Sequence, residues 1–257
     1  MKLGMIQGRL LRPEDGGIQE FPVCWEEEFG RAKTLGLNHI EWIVTTRSFS
    51  YNAIFSKDCS RFPISSLCAD NLVDDRFTQT EFLRDNLDPI CKAAIDNKVM
   101  WVTIPLLEKS SIYDAQKRQS FKQEILKFAE KYPGLNFSFE AETTAENVLD
   151  IVKENENFWI TYDTGNITSE GIDHKDYIQK THNRISNVHL KDRTFDAKTV
   201  IPLSGDTPFD EIFNTLSTVN YNNLYTMQTA RGVTGSELMT MKQHKNIFER
   251  IYNATHS

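Results

Sequence analysis

Apolar residues keep two alternating rhythms along this chain. Short runs place one at every second position, and longer runs place them three or four apart. The first rhythm predicts strands with one face buried, and the second predicts amphipathic helices. Strands are expected at Leu3–Ile6, His39–Val44, Ile64–Ala69, Val99–Ile104 (closed by Pro105), Leu135–Glu140, Phe158–Tyr162, Ile185–Leu190 and Leu224–Met227. Helices are expected between them at Trp25–Leu35, Tyr51–Cys59, Glu81–Asn97, Asp114–Tyr132, Thr144–Glu154, Asp173–Thr181, Pro208–Leu216 and Ser236–Tyr252. Gly36 and Pro133-Gly134 stop two of the helices, and Pro13-Glu-Asp-Gly-Gly17 reads as part of a long loop.

Eight strand–helix units in 257 residues suit an α/β fold, a single (β/α)8 TIM barrel. An open doubly wound sheet is the competing arrangement. It would place a Gly-rich turn after the first strand, and Gln7-Gly-Arg9 is not that fingerprint. No linker or low-complexity tract interrupts the pattern, so residues 1–257 are read as one domain.

Barrels of this kind work at the C-terminal ends of their strands. Four strands end on Phe137-Ser-Phe-Glu140, Ile160-Thr-Tyr-Asp163, Asn187-Val-His189 and Tyr225-Thr-Met-Gln228. In each, the terminal polar residue shares its parity with a small or polar one: Ser138, Thr161, Asn187 or Thr226. The other parity is bulky. The small set suits a crowded barrel interior and the bulky set suits contact with outer helices. Glu140, Asp163, His189 and Gln228 are therefore expected to point inward at one barrel end. Two carboxylates, an imidazole and an amide oxygen can ligate one divalent ion such as Mn²⁺, Mg²⁺, Co²⁺ or Zn²⁺. Any one of the four is as readily a satisfied polar residue at a strand terminus. Four in succession on adjacent strands favour a site.

Composition narrows the function classes. Hydrophobic content of 39% with 25% charged residues is that of an ordinary globule able to bury a full core. A net charge of −7 argues against nucleic acid and anionic membrane as partners, but not against a small anionic substrate. Cys24, Cys59, Cys68 and Cys91 are scattered, with neither disulfide nor zinc spacing. No apolar leader opens the sequence and no long apolar run follows. A reduced, cytoplasmic protein is the expectation.

A set of motifs then falls in order along nearly the whole chain. They are Gly4-Met-Ile-Gln-Gly-Arg-Leu10, Ile40-Glu-Trp42, Cys68-Ala-Asp70, the glutamate ending strand five, and Tyr162-Asp-Thr-Gly-Asn166. His189-Leu-Lys-Asp-Arg193, Pro202-Leu-Ser-Gly-Asp206 and Gln228-Thr-Ala-Arg231 complete it. With them the sequence resembles the sugar phosphate isomerase/epimerase family, the xylose isomerase-like TIM barrels, which also include endonuclease IV-type enzymes. The resemblance implies one divalent metal held by Glu140, Asp163, His189 and the residue ending strand eight. It implies proton transfer next to a carbonyl of a sugar, sugar phosphate or polyol, with a strand-end glutamate as base and an enediolate between. Two positions depart from the family pattern. Gln228 stands where epimerases usually carry a glutamate, and an amide cannot take a proton. Asn166 stands where many members carry histidine.

Other residues enter as candidates. Glu41 ends strand two with inward parity, as a substrate contact, an opposing base or a buried structural carboxylate. Glu142 is a neighbour for Glu140, and Gln7 and Asp70 follow the first and third strands. Asp192 is placed to hold a second metal, to orient His189 or to pair with Arg193. Arg9, Lys191, Arg193 and Arg231 fall at strand ends, where four cations near one rim suit a phosphate or carboxylate. The Glu26-Glu-Glu28 run reads as a solvated helix start. His39, His174, His182, His244 and His256 read as surface or loop residues. Three other functions compete with isomerisation: dehydration of a keto-polyol, cleavage at an abasic site, and sugar binding without catalysis. Homo-oligomers are common in the family, but no stretch here marks an interface.

Overall fold

The computed structural model describes residues 1–13, 17 and 19–255. Residues 14–16 of the expected first loop, and His256, lie outside the described residues. Eight parallel strands close into a barrel. They are β1 (Lys2–Ile6), β2 (Ile40–Ile43), β3 (Ile64–Cys68), β4 (Trp101–Leu106), β5 (Asn136–Ala141), β6 (Phe158–Asp163), β7 (Ile185–Leu190) and β10 (Leu224–Met227). Each pairs with the next in chain order, and β10 closes the ring on β1 through Lys2–Leu224 to Met5–Met227. An antiparallel ribbon, β8 (Asp192–Arg193) with β9 (Thr199–Val200), stands on the loop after β7.

The expected alternation holds. Phe137, Phe139, Ile160, Tyr162, Val188, Leu190, Tyr225 and Met227 are all buried, beneath the helices. Phe139 meets Phe121 of α4 (Ala115–Lys131) edge to face, and Tyr162 stacks on Tyr177 of α7 (His174–Thr181). Tyr225 stacks on Phe213 of α8 (Phe209–Thr218) at 5.7 Å. Full burial of one such side chain stabilises the fold by about 1.5–3 kcal/mol. The opposite parity meets inside. Ser138 Oγ and Thr161 Oγ1 are 2.6 Å apart, and Thr226 Oγ1 donates to Asn187 Oδ1 at 3.0 Å.

Three elements differ from expectation. In place of a helix over Tyr51–Cys59 there is one 3₁₀ turn, Ala53–Phe55. Asn52 holds it down: its amide donates to Ile43 O, and its oxygen accepts from Trp42 Nε1 and from the turn's Ile54 N. The helix expected over Glu81–Asn97 divides at Leu87 into α2 (Thr80–Asn86) and α3 (Asp88–Asp96). Pro89, with no N–H and a ring that crowds the preceding turn, makes the break. Strand β4 runs through Pro105 to Leu106. Pro105 stands beyond the last β3–β4 pair, Cys68–Thr103, so its missing donor leaves no ladder bond unmade.

Candidate active site

The strand-end residues are brought together by local devices. Asp163 is the last residue of β6 and also the N-cap of a short helix not expected from sequence, α6 (Thr164–Ser169). Its Oδ1 accepts the Asn166 N–H at 2.8 Å, which fixes the carboxylate and turns Oδ2 inward. His189 is fixed from behind. Its Nε2 lies 2.6 Å from Glu41 Oε2. Its Nδ1 faces Glu140 Oε2 at 3.4 Å and Asp163 Oδ2 at 4.0 Å. One ligand atom from each of Glu140, Asp163 and His189 lies within 4.8 Å of the other two, and all three residues are buried.

Glu41 is held as tightly as it holds. Ser66 Oγ donates to it at 2.8 Å and Thr103 Oγ1 at 2.6 Å, with Asn187 Nδ2 at 3.4 Å. Burial alone would raise its pKa, but the charge and hydrogen bond of His189 and the two hydroxyls hold it below the usual range. Fully buried, Glu41 orients His189 and does not reach the cavity above. Ser66 and Thr103 were not expected as site residues. Their inward parity with Glu41 is the signal that could have found them.

Positive charge is already drawn to the cluster. Lys191 Nζ is 3.0 Å from Asp163 Oδ2, 3.1 Å from Asn166 Oδ1 and 3.9 Å from Glu140 Oε1. Its chain passes Gly165 so closely that a Cβ there would be 2.9 Å from Lys191 Cγ and Cδ. Asn166 ties the group together, donating to Glu140 Oε1 at 3.2 Å. Burial disfavours charge on His189, yet Glu41 and Glu140 outweigh it and hold the imidazole protonated well above its ordinary range. Burial likewise opposes ionisation of Glu140, and His189 and Lys191 reverse this, so its pKa is lowered. Asp163 goes the other way, raised by burial and by Glu140 despite Lys191.

Above the cluster opens a cavity of about 280 Å³. Glu140, Gln228, Asp70, Arg9, Lys191 and Arg193 line it, with Glu142 behind Arg193 (2.9 Å). Burial and the charges of Glu140 and Glu108 push Asp70 up to about 6. Arg9 donates to Thr229 O and Gln19 Oε1 at 3.0 Å, and burial, then Arg231, pulls it down to about 9. Gln19, Cys68, Val73 and Glu108 also line the wall, with Thr46, Pro105, Leu107 and Thr199, and none of them is an expected site residue. Cys68 ends β3 with the inward parity of Ser66, a signal that could have found it, whereas Gln19, Val73 and Glu108 stand outside the strands with no pattern to mark them.

Several candidates stand elsewhere. Gln7 does not line the cavity; its Oε1 accepts the Ile43 N–H at 3.1 Å, and its parity is outward. Asp192 neither meets His189 nor pairs with Arg193. It is fully buried, and its oxygens accept the N–H groups of Ser204, Gly205 and Thr207 at 3.1, 3.0 and 3.3 Å. A Cβ on Gly205 would come within 2.3 Å of Asp192 Oδ1, so this loop needs glycine there. Arg231 turns to the loop after β1, donating to Gly17 O at 3.0 Å, with Glu20 Oε2 at 3.8 Å. Glu28 is buried, not solvated, and accepts from Gly8 N and Leu10 N. His39, His174 and His244 are buried as well, bonded to Thr226, Tyr162 and Thr229.

Among the buried atoms of this region that make no hydrogen bond among the described residues are His189 Nδ1 and Gln228 Oε1, along with Gln7 Nε2 and Arg193 Nε, and Asp163 Oδ2 is met by its ion pair with Lys191. Two of these atoms belong to the expected ligand set, and an unmet buried polar atom costs about 1–3 kcal/mol. The carboxylates of Glu140 and Asp163, the His189 imidazole and the Gln228 amide oxygen suit a divalent ion, which would take the place of the Lys191 ammonium at Asp163 and of the proton on His189 Nδ1.

The fold is a closed eight-stranded (β/α)8 barrel that carries this cluster at the C-terminal ends of its strands. No family model and no curated protein matches the sequence. Solved structures do. An L-ribulose 3-epimerase superposes with a TM-score of 0.73 at 14% identity, over 99% of this chain and 95% of its own. The IolI protein, solved with a bound zinc atom, gives 0.73 at 14% identity, over 98% and 99%. A probable 3-DHS dehydratase, AsbF of Bacillus anthracis, gives 0.70 at 14%, over 97% and 99%. At such identities the likeness is one of fold. No helix among the described residues is long and apolar enough to cross a membrane.

Proposed function

We propose that the protein is a metal-dependent isomerase or epimerase of a sugar, sugar phosphate or related keto-polyol. One observation carries the reading: Glu140, Asp163 and His189, all buried, bring ligand atoms within 4.8 Å of one another beneath a cavity that Glu140 and Gln228 line, and the Lys191 ammonium already sits 3.0 Å from Asp163 Oδ2. These four residues would hold the ion. When bound, it would polarise a substrate's carbonyl and hydroxyl oxygens. Glu140, ionised, would take the proton from the carbon beside the carbonyl. In isomerisation it returns that proton to the former carbonyl carbon while the hydroxyl proton passes to the former carbonyl oxygen, and in epimerisation a second group returns a proton to the opposite face of the same carbon. Glu41 fixes the His189 ring, and Asn166 fixes Glu140. Gln228 contributes no proton transfer. Asp70, with a pKa of about 6 in the same wall, is the group suited to a second one. Arg9, Lys191 and Arg193 admit an anionic substituent at the rim.

Dehydration is the second reading, favoured by the same pair. Loss of a β-hydroxyl needs one base and one acid, which Glu140 and Asp70 supply, and a base at Gln228 is not required. NMR of the Mn²⁺-loaded protein with ketoses in deuterated water separates them. Solvent deuterium in a recovered isomer supports isomerisation, and a deoxy-keto product supports dehydration. Neither product from any ketose, ketose phosphate or keto-polyol would overturn the proposal.

A further inference from the structure

The opposite mouth of the barrel holds a second cavity, of about 240 Å³. It exists because the layer beneath the candidate active site is built from small hydroxyl and amide side chains: Ser66, Thr103, Ser138, Thr161, Ser186 and Asn187. A barrel interior packed only for stability is dominated by bulky branched residues at such positions. Register shifts widen the space. Pairing slips between Ile40 and Trp42 against β3, and between Ile160 and Thr161 against β7, so consecutive serines and asparagine share the inner face. No carboxylate lines the cavity, and Lys2 is its only charged lining residue among those described.

Its entrance is aromatic. Trp101 and Trp159 meet edge to face with centroids 5.6 Å apart. The Arg184 guanidinium lies 5.6 Å from the Trp159 ring and fixes that indole in place. Two polar atoms are left over: Trp159 Nε1 and Ser65 Oγ are buried, and neither has a hydrogen-bond partner among the described residues. A dry apolar void would not carry such atoms, and each is costly if unmet.

We infer that this mouth is a second binding site, for a single neutral sugar ring. The volume holds about eight waters, so it admits one ring and not a chain of them. Indoles take the C–H face of a sugar, while the uncharged hydroxyl and amide walls meet its OH groups. The absence of lining carboxylates disfavours a metal or a cationic ligand. The site does not depend on what the other mouth does. Its wall does touch it, because Ser66 and Thr103 also hydrogen-bond Glu41.

Methyl β-D-glucopyranoside is the probe, since its locked anomeric carbon cannot open to a carbonyl and be turned over. Ligand-observed NMR should show saturable binding with a Kd on the order of 1–10 mM, as for one ring held by few contacts. Ser65→Phe, which fills the entrance, should weaken binding more than about tenfold, and Trp159→Phe, which removes the N–H and part of the stacking face together, about threefold or more. If Ser65→Phe does not fold, Trp159→Phe alone decides. Glu140→Gln should leave binding unchanged. No saturable binding overturns the inference. So does binding that survives the entrance variants and is lost in Glu140→Gln, which would place the sugar at the other mouth.

Discussion

At the C-terminal mouth, strands β5, β6, β7 and β10 deliver or lead into Glu140, Asp163, His189 and Gln228, under a wall of further charges. At the N-terminal mouth the first halves of the same strands contribute Ser138, Trp159, Ser186 with Asn187, and Leu224, with one lysine for charge among the described lining residues. The same alternation governs both. An inward position can carry an ionised group only where other groups compensate it, and at the C-terminal end the loops supply them. Deeper in the barrel, hydroxyls satisfy one another, as Ser138 does with Thr161 and Ser186 at 2.6 and 2.7 Å. Glu41 is the exception that joins the two. It is a fully buried carboxylate in the hydroxyl layer, kept ionised by donors from below and by His189 above.

Glu140→Gln breaks the comparison most sharply, because it removes the base and one anionic ligand together. Turnover of any ketose substrate should fall by at least about 10³-fold, with the circular dichroism spectrum unchanged. Glu41→Gln tests the link between the layers. It keeps the shape and loses the charge behind His189, so Mn²⁺ affinity measured by calorimetry should fall about 10–100-fold.

Acid should act next. Burial lowers His39, His174 and His244 to about 4, against 6.5 for a free imidazole. The unfolded chain therefore takes up these protons first as pH falls. Their contribution is complete above about pH 6.5, drains away down to about pH 4, and amounts to about 1–3 kcal/mol each. Urea denaturation at pH 7 and pH 5 should show that loss, and His244→Gln should reduce it. The smallest effect is expected at the hydroxyl layer. Thr161→Val should lower stability by about 1 kcal/mol and leave turnover within about twofold, by denaturant melts and initial rates.

The barrel was legible in the sequence because alternation is a local signal, and the inward set Glu140, Asp163 and His189 followed from the same parity. What was not legible depended on distant partners. Asp192 reads as a site residue beside His189, but the strand ends between them, and backbone N–H groups of Ser204 to Thr207 take its oxygens. Arg231 sits in a motif yet is claimed by the loop after β1, more than 200 residues earlier. Glu28 looks like a solvated acid until the folded β1 loop presents Gly8 and Leu10 N–H groups to it. The buried histidines likewise take hydroxyl partners from other elements. Gln7 follows β1 with parity opposite to Gly4, which pairs with inward Thr226, and this turns it away from the barrel interior to the Ile43 N–H.

Crystals grown with Mn²⁺ and measured at the manganese absorption edge test the central claim most directly. The account predicts one anomalous peak in contact with Glu140, Asp163, His189 Nδ1 and Gln228 Oε1, at about 2.0–2.4 Å from each ligand atom. A cluster with no such peak at saturating Mn²⁺, and with Lys191 still bonded to Asp163, would contradict it.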